Sequence, residues 1–144
     1  MAHKFLVESD IEEAAIEWLL QMKPYHYKYG PDIIRNHKKA ILEDVFENFL
    51  QKTYPHVPAK ILEEVKQEFL FNAGTDIHQR NHTFHLKLSK GVSKTWKDEN
   101  GKQHFQHFYP VNYEALDEND FLVVNQFTIE GRNRRRPDLI IFIN

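Results

Sequence analysis

The run Leu139-Ile140-Ile141-Phe142-Ile143 limits most strongly what this chain can fold into. Five consecutive apolar residues leave no polar face for water. The run therefore reads as a strand buried on both faces of a sheet. Just before it stand Arg132, Arg134, Arg135 and Arg136, then Pro137 and Asp138. A carboxylate at the mouth of such a strand is costly unless it has a partner. Asn144 closes the sequence, so the chain reads as stopping in the middle of a sheet.

What precedes this strand is mostly helical in pattern. "SDIEEAAIEWLLQM" sets Ile11, Ala15, Trp18, Leu19 and Met22 near one helix face. Ser9 is placed to cap it, Glu12 completes a capping box, and Pro24 ends it. "YHYKYGP" then reads as a tyrosine-rich connection. A second helix is expected over Asp32 to Lys52, broken by Pro55 and Pro58. A third starts near Pro58, a residue suited to a first helical turn. In "HQRNHTFHLKLSKG" the four-residue step from Phe84 to Leu88 and the position of Gly91 favour a helix over a strand.

After Gly91 the period changes. "VSKTW" and "HFQHFYPV" flank a turn and read as a hairpin, with Asn100-Gly101 as a favoured two-residue turn. A strand over Phe121 to Ile129 follows, then the arginine loop, then the final strand. Early helices and late strands predict an α/β fold, with helices packed on a mixed, incomplete sheet. An α+β arrangement is the alternative. Residues 1–144 read as one domain.

Composition narrows the function classes. The formal net charge is −2, so any nucleic-acid role must rest on a local basic patch. There is no cysteine, which removes disulfides, thiolate zinc sites and cysteine nucleophiles. No apolar run approaches the ~20 residues that span a bilayer. The start lacks the apolar stretch of a signal peptide. A cytoplasmic protein without a membrane partner is the expectation. Neither a phosphate-binding glycine loop nor a GxSxG elbow occurs, which argues against an ATP site or a serine hydrolase within these residues.

Three constellations could carry chemistry. The four arginines could hold a phosphate backbone, because guanidinium forks match phosphate oxygens; the alternative is a solvated loop. Asp138 could hold Mg²⁺ beside a phosphodiester; the alternative is a turn aspartate after proline. Glu12 could join it as a metal ligand; the alternative is an acidic, capping residue at a helix start. His78, His82 and His85 have zinc-ligand spacing if helical, but structural or surface histidines are the better reading.

Both ends of the chain are similar to a known family. "ESDIEEAAIEWLLQM", "FHLKLSKGV", the stretch Asn119 to Gln126 and "RPDLIIFIN" resemble, in order and spacing, the N-terminal region of the type I restriction enzyme R subunit, the motor and nuclease subunit. The resemblance implies a restriction-endonuclease-like fold of the PD-(D/E)xK kind. It makes Asp138 the counterpart of the PD aspartate and Glu12 that of the helix glutamate. It implies Mg²⁺-dependent cleavage of foreign, unmodified double-stranded DNA. ATP is implied only for a motor region beyond these residues. The implied partners are the specificity and modification subunits of one complex. The family's second catalytic strand, with its Glu-x-Lys pair, would follow Asn144. The chain is thus expected to be a nuclease-domain fragment that does not cleave DNA alone. A non-catalytic DNA-binding or subunit-interaction module is the alternative.

Overall fold

The computed structural model describes residues 7–22 and 25–144, so the helix stop expected at Pro24 lies outside the described residues. The chain divides into two compact units. The first joins Met1–Leu42 to Glu114–Asn144, and the second is Glu43–Tyr113.

In the first unit, helix α1 (Glu8–Leu20) packs on strands β1 (Tyr25–Tyr29) and β4 (Phe121–Asn125). Strand β4 is central. It runs parallel to β1 and antiparallel to β7 (Leu139–Ile143). This is the mixed sheet, with a helix against it, that the sequence predicts. Its buried middle is Leu122, Val123 and Val124, the last two fully inaccessible. Tyr29 lies opposite Asn125, and Asn125 opposite Leu139. The ends of β1 and β4 therefore meet the start of β7.

Strand β1 replaces the expected tyrosine-rich connection. Tyr25, Tyr27 and Tyr29 fall on every second residue, with His26 and Lys28 between them, which is a strand period. The helix expected from Asp32 begins only at Glu43. Asn36 is one reason: its side chain accepts the Lys38 amide at 3.0 Å, a local turn that competes with helix. Arg35 is another. Its guanidinium donates to the carbonyls of Asn36, Lys39 and Thr128 and lies 3.5 Å over the Phe127 ring. Burial pulls its pKa down. That set of contacts needs an irregular segment.

The long strand expected over Phe121 to Ile129 stops at Asn125, because Gln126 has φ +54. Pairing resumes in a short hairpin of β5 (Ile129–Glu130) and β6 (Arg134–Arg135). Strand β7 is an edge of the three-stranded sheet, not a strand buried on both faces. Ile141 and Ile143 are 42% and 48% exposed. One face does pack: Phe142 meets Phe127 edge-on at 4.8 Å. The register of β7 is pinned at its end. Asn144 donates its backbone N–H to Asp120 and accepts the Asp120 N–H on Oδ1 at 2.7 Å.

The second unit holds helices α2 (Glu43–Thr53), α3 (Ala59–Leu70) and α4 (Ile77–Lys90) with hairpin β2 (Val92–Lys97) and β3 (Gln103–Phe108). Phe46 and Phe69 join α2 to α3 edge-on, and Tyr54 packs on Phe108. Lys66 is buried yet pairs with Glu47 at 2.8 Å and Glu63 at 2.6 Å, hydrogen bonds that raise its pKa. Asp76 caps α4 by accepting the Gln79 amide at 2.9 Å, and Gly91 ends it at φ +68. The hairpin turn is wider than the expected two residues. The strands pair up to Lys97 and Gln103, and Asp98 holds the loop by accepting the Asn100 and Lys102 amides.

Candidate functional site

Helix α1 begins one residue before Ser9, and that single shift decides what Glu12 can do. Val7 is the cap position, and its N–H donates to Asp10 Oδ2 at 3.3 Å. Ser9 therefore lies inside the helix, and the expected capping box between Ser9 and Glu12 does not form. The physical reason is that Asp10 stands three residues after Val7 and takes the reciprocal role. Glu12 is left half-buried, with its side chain turned to the end of β4.

There both of its oxygens accept amide protons. Asn125 Nδ2 donates to Oε1 at 2.7 Å, and Gln126 Nε2 donates to Oε2 at 3.0 Å. Tyr27 donates its hydroxyl to Asn125 Oδ1 at 2.8 Å, which fixes the Asn125 amide with its NH₂ towards Glu12. Partial burial, then the Glu12 charge, raise the Tyr27 pKa, so the phenol remains a donor. Gln126 reaches Glu12 from a left-handed backbone. The carbonyls of Asn125 and Gln126 lie where a Cβ on Gly30 would be, at 2.4 and 2.7 Å, so only glycine fits beneath them.

Asp138 reaches the same end of the sheet. Its carbonyl accepts the Gln126 backbone N–H at 3.0 Å, one residue before the Asn125–Leu139 pair. Gln126 thus links the two carboxylate-bearing residues singled out in the sequence. The Asp138 residue is exposed. Arg132, Arg134, Arg135 and Arg136 are exposed too, on and beside the β5–β6 hairpin that leads into Asp138.

The sequence reading missed Tyr27, Asn125 and Gln126. The strand period of the tyrosines and the adjacent amides at a strand end were the available signals. His78, His82 and His85 are exposed on α4, remote in sequence from these residues. Among the described residues, no group of three histidines or carboxylates could hold a metal ion. Mg²⁺ commonly takes one or two carboxylates and completes its octahedron with waters and phosphate oxygens, and Glu12 and Asp138 are the two carboxylate residues that Gln126 joins, one through its side chain and one through its backbone. Glu12 keeps lone pairs for such a role, since each oxygen has more than one.

Among the described residues, no helix is long and apolar enough to cross a membrane. No solved structure matches the chain. In sequence it is similar to a protein of Methanocaldococcus jannaschii that carries the name of the type I restriction enzyme MjaIXP endonuclease subunit. The identity is 30% over 145 residues, covering 93% of this chain and 14% of that protein. It is 28% identical to the type I restriction enzyme HindI endonuclease subunit of Haemophilus influenzae, over 96% of this chain and 14% of that subunit. The chain therefore spans about a seventh of the length of these curated relatives. Residues 5–144 match the family model of the type I restriction enzyme R protein N terminus, and the chain belongs to that family.

Proposed function

We propose that this chain is the opening part of the nuclease region of a type I restriction R subunit, with Asp138 and Glu12 as ligands for Mg²⁺ at a phosphodiester of double-stranded DNA. The observation that carries this reading is the link between them. Gln126 donates its side-chain amide to Glu12 and its backbone amide to Asp138, so both stand at one end of the mixed sheet. Bound magnesium would neutralise charge on the phosphate and activate the attacking water. The work of the chain's own residues is to hold oxygen ligands still. Asn125, Gln126 and Tyr27 keep the Glu12 carboxylate oriented. The strand pairing of β7 with β4 fixes the backbone at Asp138. Arg132, Arg134, Arg135 and Arg136 contact phosphate oxygens next to the cut.

The whole subunit would act on foreign, unmodified DNA with specificity and modification subunits in the cytoplasm. ATP would serve a motor region outside these residues. Phosphodiester hydrolysis also calls for a further acid and a lysine near the attacking water. No third metal-binding side chain joins Glu12 and Asp138 among the described residues. The chain alone is therefore predicted to bind metal and DNA without cutting.

Two measurements test this. Calorimetric titration with Mn²⁺ should give binding that Asp138→Ala and Glu12→Ala each weaken about tenfold or more, since even loss of a group that only orients a ligand costs that much. Equal binding by both variants would sink the assignment. Plasmid incubated with Mg²⁺ and the chain should remain supercoiled; nicking that Asp138→Ala abolishes would overturn the predicted inactivity. The alternative of a non-catalytic DNA-binding or subunit-interaction module is favoured by the exposure of the four arginines. It predicts DNA binding with no metal dependence.

A further inference from the structure

Residues 77–97 contain no aspartate or glutamate. They hold five lysines and arginines, a formal +5 in a chain whose total is −2, which leaves −7 on all other residues. Three of these cations are engaged within the unit, Arg80 through its Nε, which donates to the Gly74 carbonyl at 3.1 Å. Lys87 donates to the carbonyls of Glu68 and Phe71, and Lys94 pairs with Glu68 at 2.7 Å. Arg80, Lys90 and Lys97 are exposed.

The β2–β3 hairpin has two different faces. Ser93, Thr95 and Lys97 are exposed, and they pair across with His107, Phe105 and Gln103. Those six form one outer face without a carboxylate. Phe105, in the middle of it, is 69% exposed. His107 and Tyr109 continue the line at every second residue, their rings 4.7 Å apart, and Tyr109 is 42% exposed. Successive rings on such a line recur roughly every 7 Å along the strand. His107 also ties this face to the end of α4. Its Nδ1 lies 2.6 Å from Ser93 Oγ, and its Nε2 2.5 Å from the Lys90 carbonyl.

We propose that this face binds single-stranded DNA, with bases stacking on Phe105 and Tyr109 and the backbone running past Lys90 and Lys97. Charge complementarity selects a polyanion, because the face offers a cation, hydroxyls and an amide and no anion, while Asp98, tied to His104, and Glu99 lie in the turn beyond Lys97. The aromatic line selects unpaired bases, because stacked bases inside a duplex present no π-face to a flat sheet. The choice of DNA over RNA rests on the nuclease reading above. The surface itself uses neither Glu12 nor Asp138.

The test is fluorescence anisotropy with labelled oligo(dT) of about 16 nucleotides and a duplex of equal length, using the 144-residue chain. Phe105→Ala should weaken oligo(dT) binding about tenfold, the scale of one lost stacking partner. Phe105→Trp should restore it, and neither change should alter duplex binding. Circular dichroism checks the hairpin in each variant. Oligo(dT) binding should persist in EDTA, where no metal can join Glu12 or Asp138 to DNA, so a failed nuclease assignment is told apart from a failed surface. Absence of oligo(dT) binding at low salt, equal affinity of Phe105→Ala, or an equal loss on duplex would each overturn the proposal.

Discussion

Gln126 donates its side-chain amide to the Glu12 carboxylate across 114 positions of sequence, at 3.0 Å. The bond exists because α1 starts early enough to release Glu12 and because β4 breaks sharply enough to turn Gln126 back. Neither local feature alone would bring the groups together.

Glu12→Gln tests whether that carboxylate is held as an acceptor. A carboxylate accepts both the Asn125 and the Gln126 amide, whereas a glutamine offers one acceptor and sets its own NH₂ against the other donor. The expected loss is about 1–2 kcal/mol of stability, the scale of one mismatched hydrogen bond in a partly buried site. Urea denaturation reads it as a lower midpoint. A variant as stable as the parent would show that the two amides do not hold Glu12 in solution.

Gly30→Ala should be costly for a different reason. The new Cβ would stand 2.4 Å from the Asn125 carbonyl and 2.7 Å from that of Gln126, and backbone cannot step aside as a side-chain tip can. A loss of about 2–3 kcal/mol is expected, as for overpacking in a filled site. Gly101→Ala is the control: nothing lies within 4 Å of its Cβ position, and only its φ of +77 resists. That change should cost about 1 kcal/mol. Thermal melts that rank the two in the reverse order would refute the steric account.

Changing Arg134, Arg135 and Arg136 together to Ala separates a phosphate claw from a solvated loop. If all three contact duplex phosphates, the slope of log affinity against log salt should become shallower by about 2.7. An unchanged slope would leave the arginines as solubilising charges.

The hairpin should weaken in acid. Asp98 accepts from His104 at 2.8 Å and from two loop amides, and the His104 bond, the largest influence, holds its pKa below the ordinary carboxylate value. A depressed pKa stabilises the fold above the unfolded value and loses that contribution as pH falls through the folded one. The loss therefore lies below about pH 4. Trp96 stacks on His104 at 5.5 Å, so its fluorescence should follow the change. Asp98→Asn should flatten that acid response.

Much of this was legible because it is local. The periods of α1, α3 and α4, the hairpin after Gly91 and the apolar run of β7 each show within a short window. Asp138 stands out by its place before that run, and Glu12 through the family resemblance; what the structure adds is their common link to Gln126. Other features depended on distant partners. Arg35 keeps residues 33–42 out of a helix by reaching Thr128, which no window around Arg35 contains. Strand β1 alternates rings with polar groups, but its parallel partner β4 follows about 100 residues later, and Gly30-Pro31 drew the reading towards a loop. The exposure of Ile141 and Ile143 was unreadable because apolarity records what a face can bury, not what covers it. Asn125 and Gln126 have roles only through Glu12 and Tyr27.

The left-handed backbone at Gln126 sets two demands against each other at one residue. Glycine there would relieve about 1–2 kcal/mol of backbone strain. The same change deletes the amide that reaches Glu12. The strain relieved and the hydrogen bond lost are of similar size, so the change would leave stability nearly where it was and still loosen the carboxylate. The strained backbone at Gln126 is thus the cost of aiming one amide at one carboxylate.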